Sequence, residues 1–141
     1  MAATPIPDRP RLALGLGCDR GTPLATLEQA VAEALAGVGA DLSQVAVAAT
    51  IDLKADEAGL VQLAAVHGWP LYFYSAAQLA AVPVPNPSPT VLRYMGTPSV
   101  SAAAALLAAG RAAGGLLLEK HKLLDAAGKH ATVSITRIDD D

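Results

Sequence analysis

The chain has 141 residues, with 10 Lys+Arg against 13 Asp+Glu, a net charge of −3 and a mean hydropathy of +0.38. That length fits one domain, since two would each be too small to bury a good core. Charged residues make up only 16%, which excludes disorder, and with Asp139, Asp140 and Asp141 set aside the body is close to neutral, which leaves no general nucleic-acid footprint.

Alanine dominates the apolar residues: 31 of them stand behind the 52% hydrophobic content, beside only five aromatics. This suits small-faced helices packed on a sheet better than an aromatic-rich sandwich. The single cysteine excludes an internal disulfide and any cysteine-rich zinc site. Met1 to Arg11 carries prolines and charges rather than an apolar run, so no signal peptide is read there. The most apolar stretch, Val100 to Leu118, is broken by Gly110, Arg111, Gly114 and Gly115, short of the ~20 residues of a membrane span. A soluble, cytoplasmic protein is expected, with a flexible arm over 1–10, one domain over 11–138 and an acidic tail over 139–141.

In chain order, Leu12–Gly17 reads as a first strand. Thr22 as cap and Pro23 as first helical residue open a helix to about Ala36, which Gly37 and Gly39 end. Asp41–Gln44 is a polar connection into Val45–Ile51, whose lack of polar alternation marks a central strand covered on both faces. Asp52–Glu57 forms a charged loop and cap before a helix to His67, with Leu60, Leu63, Ala64 and His67 on one face and Gly68 as its stop. Leu71–Tyr74 is a short strand, and Ser75 caps a brief helix ending near Val82.

Four prolines in the eight residues Pro83 to Thr90 exclude helix and central sheet, leaving a rigid loop. Ser88-Pro89 and Thr97-Pro98 then start two helices, the first to Met95 and the second, alanine-rich, to about Ala109. Gly114–Glu119 and Ala131–Ile138 read as strands joined through a polar Lys120–His130. The fold expected is α/β, three layers with helices on both faces of a mostly parallel, mixed sheet and a C-terminal antiparallel β-ribbon.

Three regions carry candidate chemistry. Gly15-Leu-Gly17-Cys18-Asp19-Arg20-Gly21-Thr22 lies between a strand and a helix, where free N–H groups and Arg20 suit an anion, or where a tight turn is all that is needed. Its G-x-G-x-x-x-G spacing is not the dinucleotide fingerprint. Cys18 there is either a thiol lowered by a helix start and Arg20 or a small buried hydrophobe. Asp52, Lys54, Asp56 and Glu57 follow the second strand, at the sheet edge where α/β proteins bind ligands: Lys54 suits a carboxylate, and Asp52 or Glu57 suits acid–base work. Helix capping by Asp56 and Glu57 is the alternative. Asn86, Ser88, Gly96, Thr97, Ser99 and Val100 form a rigid loop and helix start that offer a further anion subsite or mere capping. Lys120, His121 and Lys122 read as a solvated, aggregation-deterring edge. No metal-ligand spacing is present, and neither a metal nor a cofactor is expected.

Taken together, Gly15-Leu-Gly-Cys-Asp-Arg-Gly-Thr, Ile51-Asp-Leu-Lys-Ala-Asp-Glu-Ala-Gly-Leu, Val84-Pro-Asn-Pro-Ser, Gly96-Thr-Pro-Ser-Val-Ser-Ala-Ala-Ala-Ala-Leu and Leu116-Leu-Leu-Glu-Lys with Ala131-Thr-Val-Ser-Ile resemble the CobE family, which is similar to the C-terminal domain of CbiG. The resemblance runs over about residues 11–138. It implies a role in cobalamin biosynthesis at the corrin-ring stage, with a precorrin or corrinoid intermediate as ligand and other enzymes of the pathway as further partners.

Members of the CbiG type are implicated as cobalt-precorrin-5A hydrolases that open a lactone and release acetaldehyde. The shared domain standing alone in a chain this short instead resembles CobE of the aerobic branch, which implies binding or transfer of the intermediate. Under the binding reading, Arg20, Lys54 and the helix starts at Thr22 and Thr97–Ser99 grip peripheral carboxylates, while Gly17, Gly21 and Gly96 allow close backbone approach. Under the hydrolase reading, Asp52 or Glu57 activates water and Lys54 or a loop N–H stabilises the oxyanion. A non-catalytic scaffold for pathway enzymes is the third reading.

Overall fold

The structure is a computed structural model that describes residues 11–82, 100–110 and 115–138. Five strands form one sheet in the order β3-β2-β1-β5-β4, where β1 is Arg11–Cys18, β2 Val45–Ile51, β3 Leu71–Tyr74, β4 Leu116–Leu124 and β5 His130–Ile138. The first three run parallel, while β5 is antiparallel to both β1 and β4. The expected three-layer fold with its C-terminal antiparallel ribbon is therefore present.

Helices cover both faces because alternate residues of each strand point to opposite sides. Leu12, Leu14 and Leu16 of β1 pack with Val133 and Ile135 of β5 against α1 (Leu24–Gly37) and α2 (Ala58–His67). On the other face Ala49 and Ile51 of β2 meet α3 (Ala76–Ala80) and α4 (Val100–Ala109). Each fully buried leucine contributes roughly 1.5–3 kcal/mol of transfer free energy.

The alanine excess has a structural reason on the α4 face. Ala102, Ala103, Ala104 and Ala105 are all fully buried, so the helix lies close to the sheet. Gly15 completes this approach, since a Cβ on it would lie 1.7 Å from the Ser101 carbonyl oxygen. Beneath α4, the buried Ser134 hydroxyl meets Ser101 Oγ at 2.8 Å, and Thr50 Oγ1 donates to the Leu16 carbonyl at 2.7 Å across β1 and β2.

Some expectations need correcting. Pro23, not Thr22, is the cap of α1, because the Thr22 hydroxyl turns back to donate to the Asp19 carbonyl at 2.7 Å. Strand β2 is interior, but the central strand is β1. Lys120–Lys122 lies within β4 rather than after it, because β4 is an edge strand on which charged residues are tolerated. The turn instead begins at Asp125, whose Oδ1 accepts the Ala127 and Lys129 N–H groups at 2.9 Å each, and Gly128 takes the left-handed φ of +85° that the tight reversal needs. Strand β3 and the Ser75 capping box of α3 fall where expected.

The N-terminal arm, the Pro83–Thr90 loop, the helix expected over Ser88–Met95, the Thr97-Pro98 helix start, Gly114 and the acidic tail lie outside the described residues.

Two glycines of β1 separate packing from conformation. Gly15→Ala should cost at least 2–3 kcal/mol in chemical denaturation, since the clash is with helix backbone that must move. Gly17→Ala should be nearly neutral, because its Cβ would meet only Thr132 Cβ at an ordinary 3.8 Å. Equal costs for the two would contradict the close approach of α4.

Candidate functional site

The carboxyl ends of β1, β2 and β3 point to one edge of the sheet, and the β4–β5 hairpin turns at the same edge. In open α/β sheets this edge is where ligands bind. Two βα loops and the hairpin meet there.

The β1–α1 loop is held on its first flank by Glu57. This residue is the N-cap of α2, yet its side chain makes no cap hydrogen bond. It is buried and reaches across to accept the Gly21 N–H at 2.9 Å. Arg20 lies over the same loop, with Nη1 2.7 Å from Asp56 Oδ1 and 3.4 Å from Glu57 Oε1, and Nη2 donating to the Leu53 carbonyl at 3.0 Å. The Arg20 hydrogen bond and charge hold the exposed Asp56 carboxyl below its usual range. Gly21 has φ +77°, a left-handed conformation that presents its N–H to Glu57. Gly59 of α2 brings the loops still closer, as its Cβ would lie 2.6 Å from the Thr22 carbonyl oxygen.

The hairpin holds the second flank. Lys129 Nζ donates to the Arg20 carbonyl at 2.7 Å, and Thr26 Oγ1 donates to Asp125 Oδ2 at 2.8 Å. Asp19 Oδ2 accepts the His130 backbone N–H at 2.8 Å and lies 2.9 Å from His130 Nδ1, while the Asp19 N–H donates to the His130 carbonyl at 3.0 Å. Partial burial opposes ionisation of Asp19, but the His130 N–H, the His130 ring and Lys129 outweigh it and lower its pKa. The Lys129 N–H, then the Thr26 hydroxyl and the Ala127 and Gly128 N–H groups, lower that of Asp125.

Of the residues expected from sequence, Gly17, Cys18, Arg20, Gly21, Thr22, Asp52, Lys54 and Glu57 come together at this edge. Arg20 and Glu57 are engaged with each other and with the loops. Lys54, at the end of a short 3-10 turn over Asp52–Lys54, is half-buried; its carbonyl accepts the Glu57 N–H at 3.0 Å, while its ammonium makes no hydrogen bond or ion pair with a described residue. Cys18 does not fit a lowered thiol: burial pushes its pKa up against the opposing charge of Lys54. It packs against the α1/α2 core.

Val100 lies on the other face, packed with Ala103 and Ala104. Asn86, Ser88, Gly96, Thr97 and Ser99 are outside the described residues. Asp125, Lys129 and His130 were missed, and Asp19, though within the first candidate segment, was given no role. The only local signal was the Asp125-Ala-Ala-Gly128 turn pattern, and their role arises from long-range β1–β5 pairing. Among the described residues no three metal-ligating side chains cluster, and no helix is long and apolar enough to cross a membrane.

This is an α/β domain whose carboxyl sheet edge is built from two βα loops and a hairpin. Residues 12–136 match the family described as cobalamin synthesis G C-terminus, and the chain belongs to that family. It is 36% identical over 126 residues to Protein CobE of Sinorhizobium sp, covering 88% of this chain and 78% of that protein. It is 40% identical over 103 residues to the cobalt-precorrin-5A hydrolase of Priestia megaterium, covering 72% of this chain but only 28% of the hydrolase. A crystal structure of CobE, a protein of the cobalamin (vitamin B12) biosynthetic pathway, superposes with a TM-score of 0.76 at 34% identity, covering 97% of this chain and 95% of that one.

Glu57→Ala should lower stability by about 2 kcal/mol in denaturant titration, since the Gly21 N–H loses a charged acceptor. A loss below about 0.5 kcal/mol would show that the loop is held otherwise.

The hairpin contacts should also make stability fall in acid. Asp19 and Asp125 have lower pKa values folded than unfolded, so their contribution is complete above the ordinary value of 3.8 and is lost as pH drops through the folded values. Denaturation midpoints followed from about pH 5 to about pH 2 should fall less steeply in the Asp19→Asn, Asp125→Asn double variant. An unchanged slope would refute the assignment.

Proposed function

We propose that this chain binds a corrinoid intermediate of cobalamin biosynthesis at the carboxyl edge of its sheet. Corrin precursors are broad apolar macrocycles fringed with carboxylates, so their binding face needs apolar or small residues with separated donors. The observation that carries the reading is Lys54, a half-buried cation whose ammonium makes no hydrogen bond or ion pair with a described residue, beside Arg20, Asp56 and Glu57, which are engaged with one another and with the loop. Arg20 shapes the loop first, through Asp56, Glu57 and the Leu53 carbonyl, and its exposed guanidinium adds positive charge at the rim.

Asn86, Ser88, Gly96, Thr97 and Ser99, the loop and helix-start donors read from the sequence, are proposed as further contacts to the ligand's carboxylates. A cytoplasmic setting and contacts with other enzymes of the pathway complete the proposal.

The hydrolase reading has its own support in the Priestia relative, whose name states that activity. Within it, Asp52 is the freer carboxylate for activating water, because Glu57 already accepts the Gly21 N–H and faces Arg20. Acetaldehyde released from a lactone-containing precorrin would favour hydrolysis over binding alone.

Visible-absorbance titration with a corrin polycarboxylate tests the binding reading. Lys54→Ala should weaken affinity about tenfold while leaving the denaturation midpoint in place, and Lys54→Arg should restore most of it. Equal affinities for wild type and Lys54→Ala would sink the assignment.

A further inference from the structure

The three histidines, His67, His121 and His130, each meet a carboxylate from another element, but they do not use the same nitrogen. His67 Nε2 lies 2.6 Å from Glu28 of α1, with its ring stacked on Trp69. His121 Nε2 lies 2.7 Å from Glu33 of α1. Both outer nitrogens are occupied, and the two pairs tie α1 to α2 and to β4. His130 differs: its Nδ1 meets Asp19, and its Nε2 makes no hydrogen bond or ion pair with a described group.

Docking of the hairpin onto the loop does not require that ring. The backbone N–H of His130 already reaches Asp19 Oδ2, and its carbonyl already accepts the Asp19 N–H. Any residue but proline at position 130 supplies these two bonds. What the imidazole adds is a half-exposed ring, held through Nδ1 by Asp19, whose Nε2 stands at the same sheet edge as Lys54.

Resting on the corrinoid-binding reading above, we propose that His130 Nε2 is a proton-linked contact for a carboxylate of the bound ligand. With Nδ1–H donated to Asp19, the neutral ring shows a lone pair at Nε2, which repels a carboxylate. Taking one proton from solvent converts Nε2 to an N–H donor, and no other bond forms or breaks. The charges around the ring come from two elements. From the β1–α1 loop, Asp19 faces Nδ1, while Arg20 is matched by Asp56 and Glu57. From the hairpin, Lys129 has its Nζ held on the Arg20 carbonyl, and Asp125 is satisfied by Thr26 and the turn N–H groups. A ligand carboxylate at Nε2 adds the second negative charge that draws the proton on.

Calorimetric titration with hydrogenobyrinic acid, a cobalt-free corrin polycarboxylate, tests this at about pH 8 and about pH 6 in two buffers of different ionisation enthalpy. The ligand's carboxylates stay ionised over this range, so they contribute little to the pH dependence. Wild type should take up protons on binding and bind about fivefold tighter at the lower pH. His130→Gln, which keeps both backbone bonds to Asp19, should lose the proton uptake and the pH dependence. Lys54→Ala should bind more weakly at both pH values with the dependence intact.

If His130→Gln binds with the wild-type proton uptake, the inference falls and the corrinoid-binding reading stands. Absence of binding by wild type at both pH values removes the two together.

Discussion

Glu57 is the only ionisable side chain among the described residues that the fold draws almost wholly out of water. A carboxylate in that position is tolerable only if hydrogen bonds and opposite charge replace its hydration. The Gly21 N–H and Arg20 provide both. The bond does more than satisfy one residue, because it joins the loop after β1 to the start of α2 and so fixes the spacing of two parallel strands' carboxyl ends. Lys54 is placed by the same turn, three residues earlier, and its ammonium forms no ion pair with a described residue.

The second flank is made differently. The hairpin of β4 and β5 reaches the loop through backbone groups and through Asp19, Thr26 and Lys129, so the site edge joins residues about 110 apart in the chain. On the α4 face, packing of alanines and Gly15 makes the sheet rigid beneath it. A rigid base with loops held from both sides is the arrangement expected of a site that presents donors to a bulky ligand without reorganising.

Much of this was legible in the sequence where the signals are local. Strand β3, the Ser75 cap and the Gly68 stop follow from turn chemistry and propensity, and the membership of Arg20, Lys54 and Glu57 in one edge follows from the parallel order of β1 and β2. What was not legible depended on partners distant in sequence. The pattern at Lys120–Lys122 looks like a connection because an edge strand and a polar loop carry the same charges. Glu57 looks like a helix cap because nothing near it shows that its acceptor role is spent on Gly21. Asp19 and His130 became a pair only once β5 was known to lie antiparallel beside β1.

Membership of the cobalamin synthesis G C-terminus family supplies the pathway, and the edge supplies the place where its intermediate is proposed to sit. The most direct measurement is mapping of backbone amide shifts by two-dimensional NMR as a corrin polycarboxylate is added. Perturbations should concentrate at Gly17–Thr22, Asp52–Glu57 and Lys129–His130. Perturbations centred on the opposite edge, around Val38–Gln44 and Ile138, or none at saturating ligand, would contradict the account.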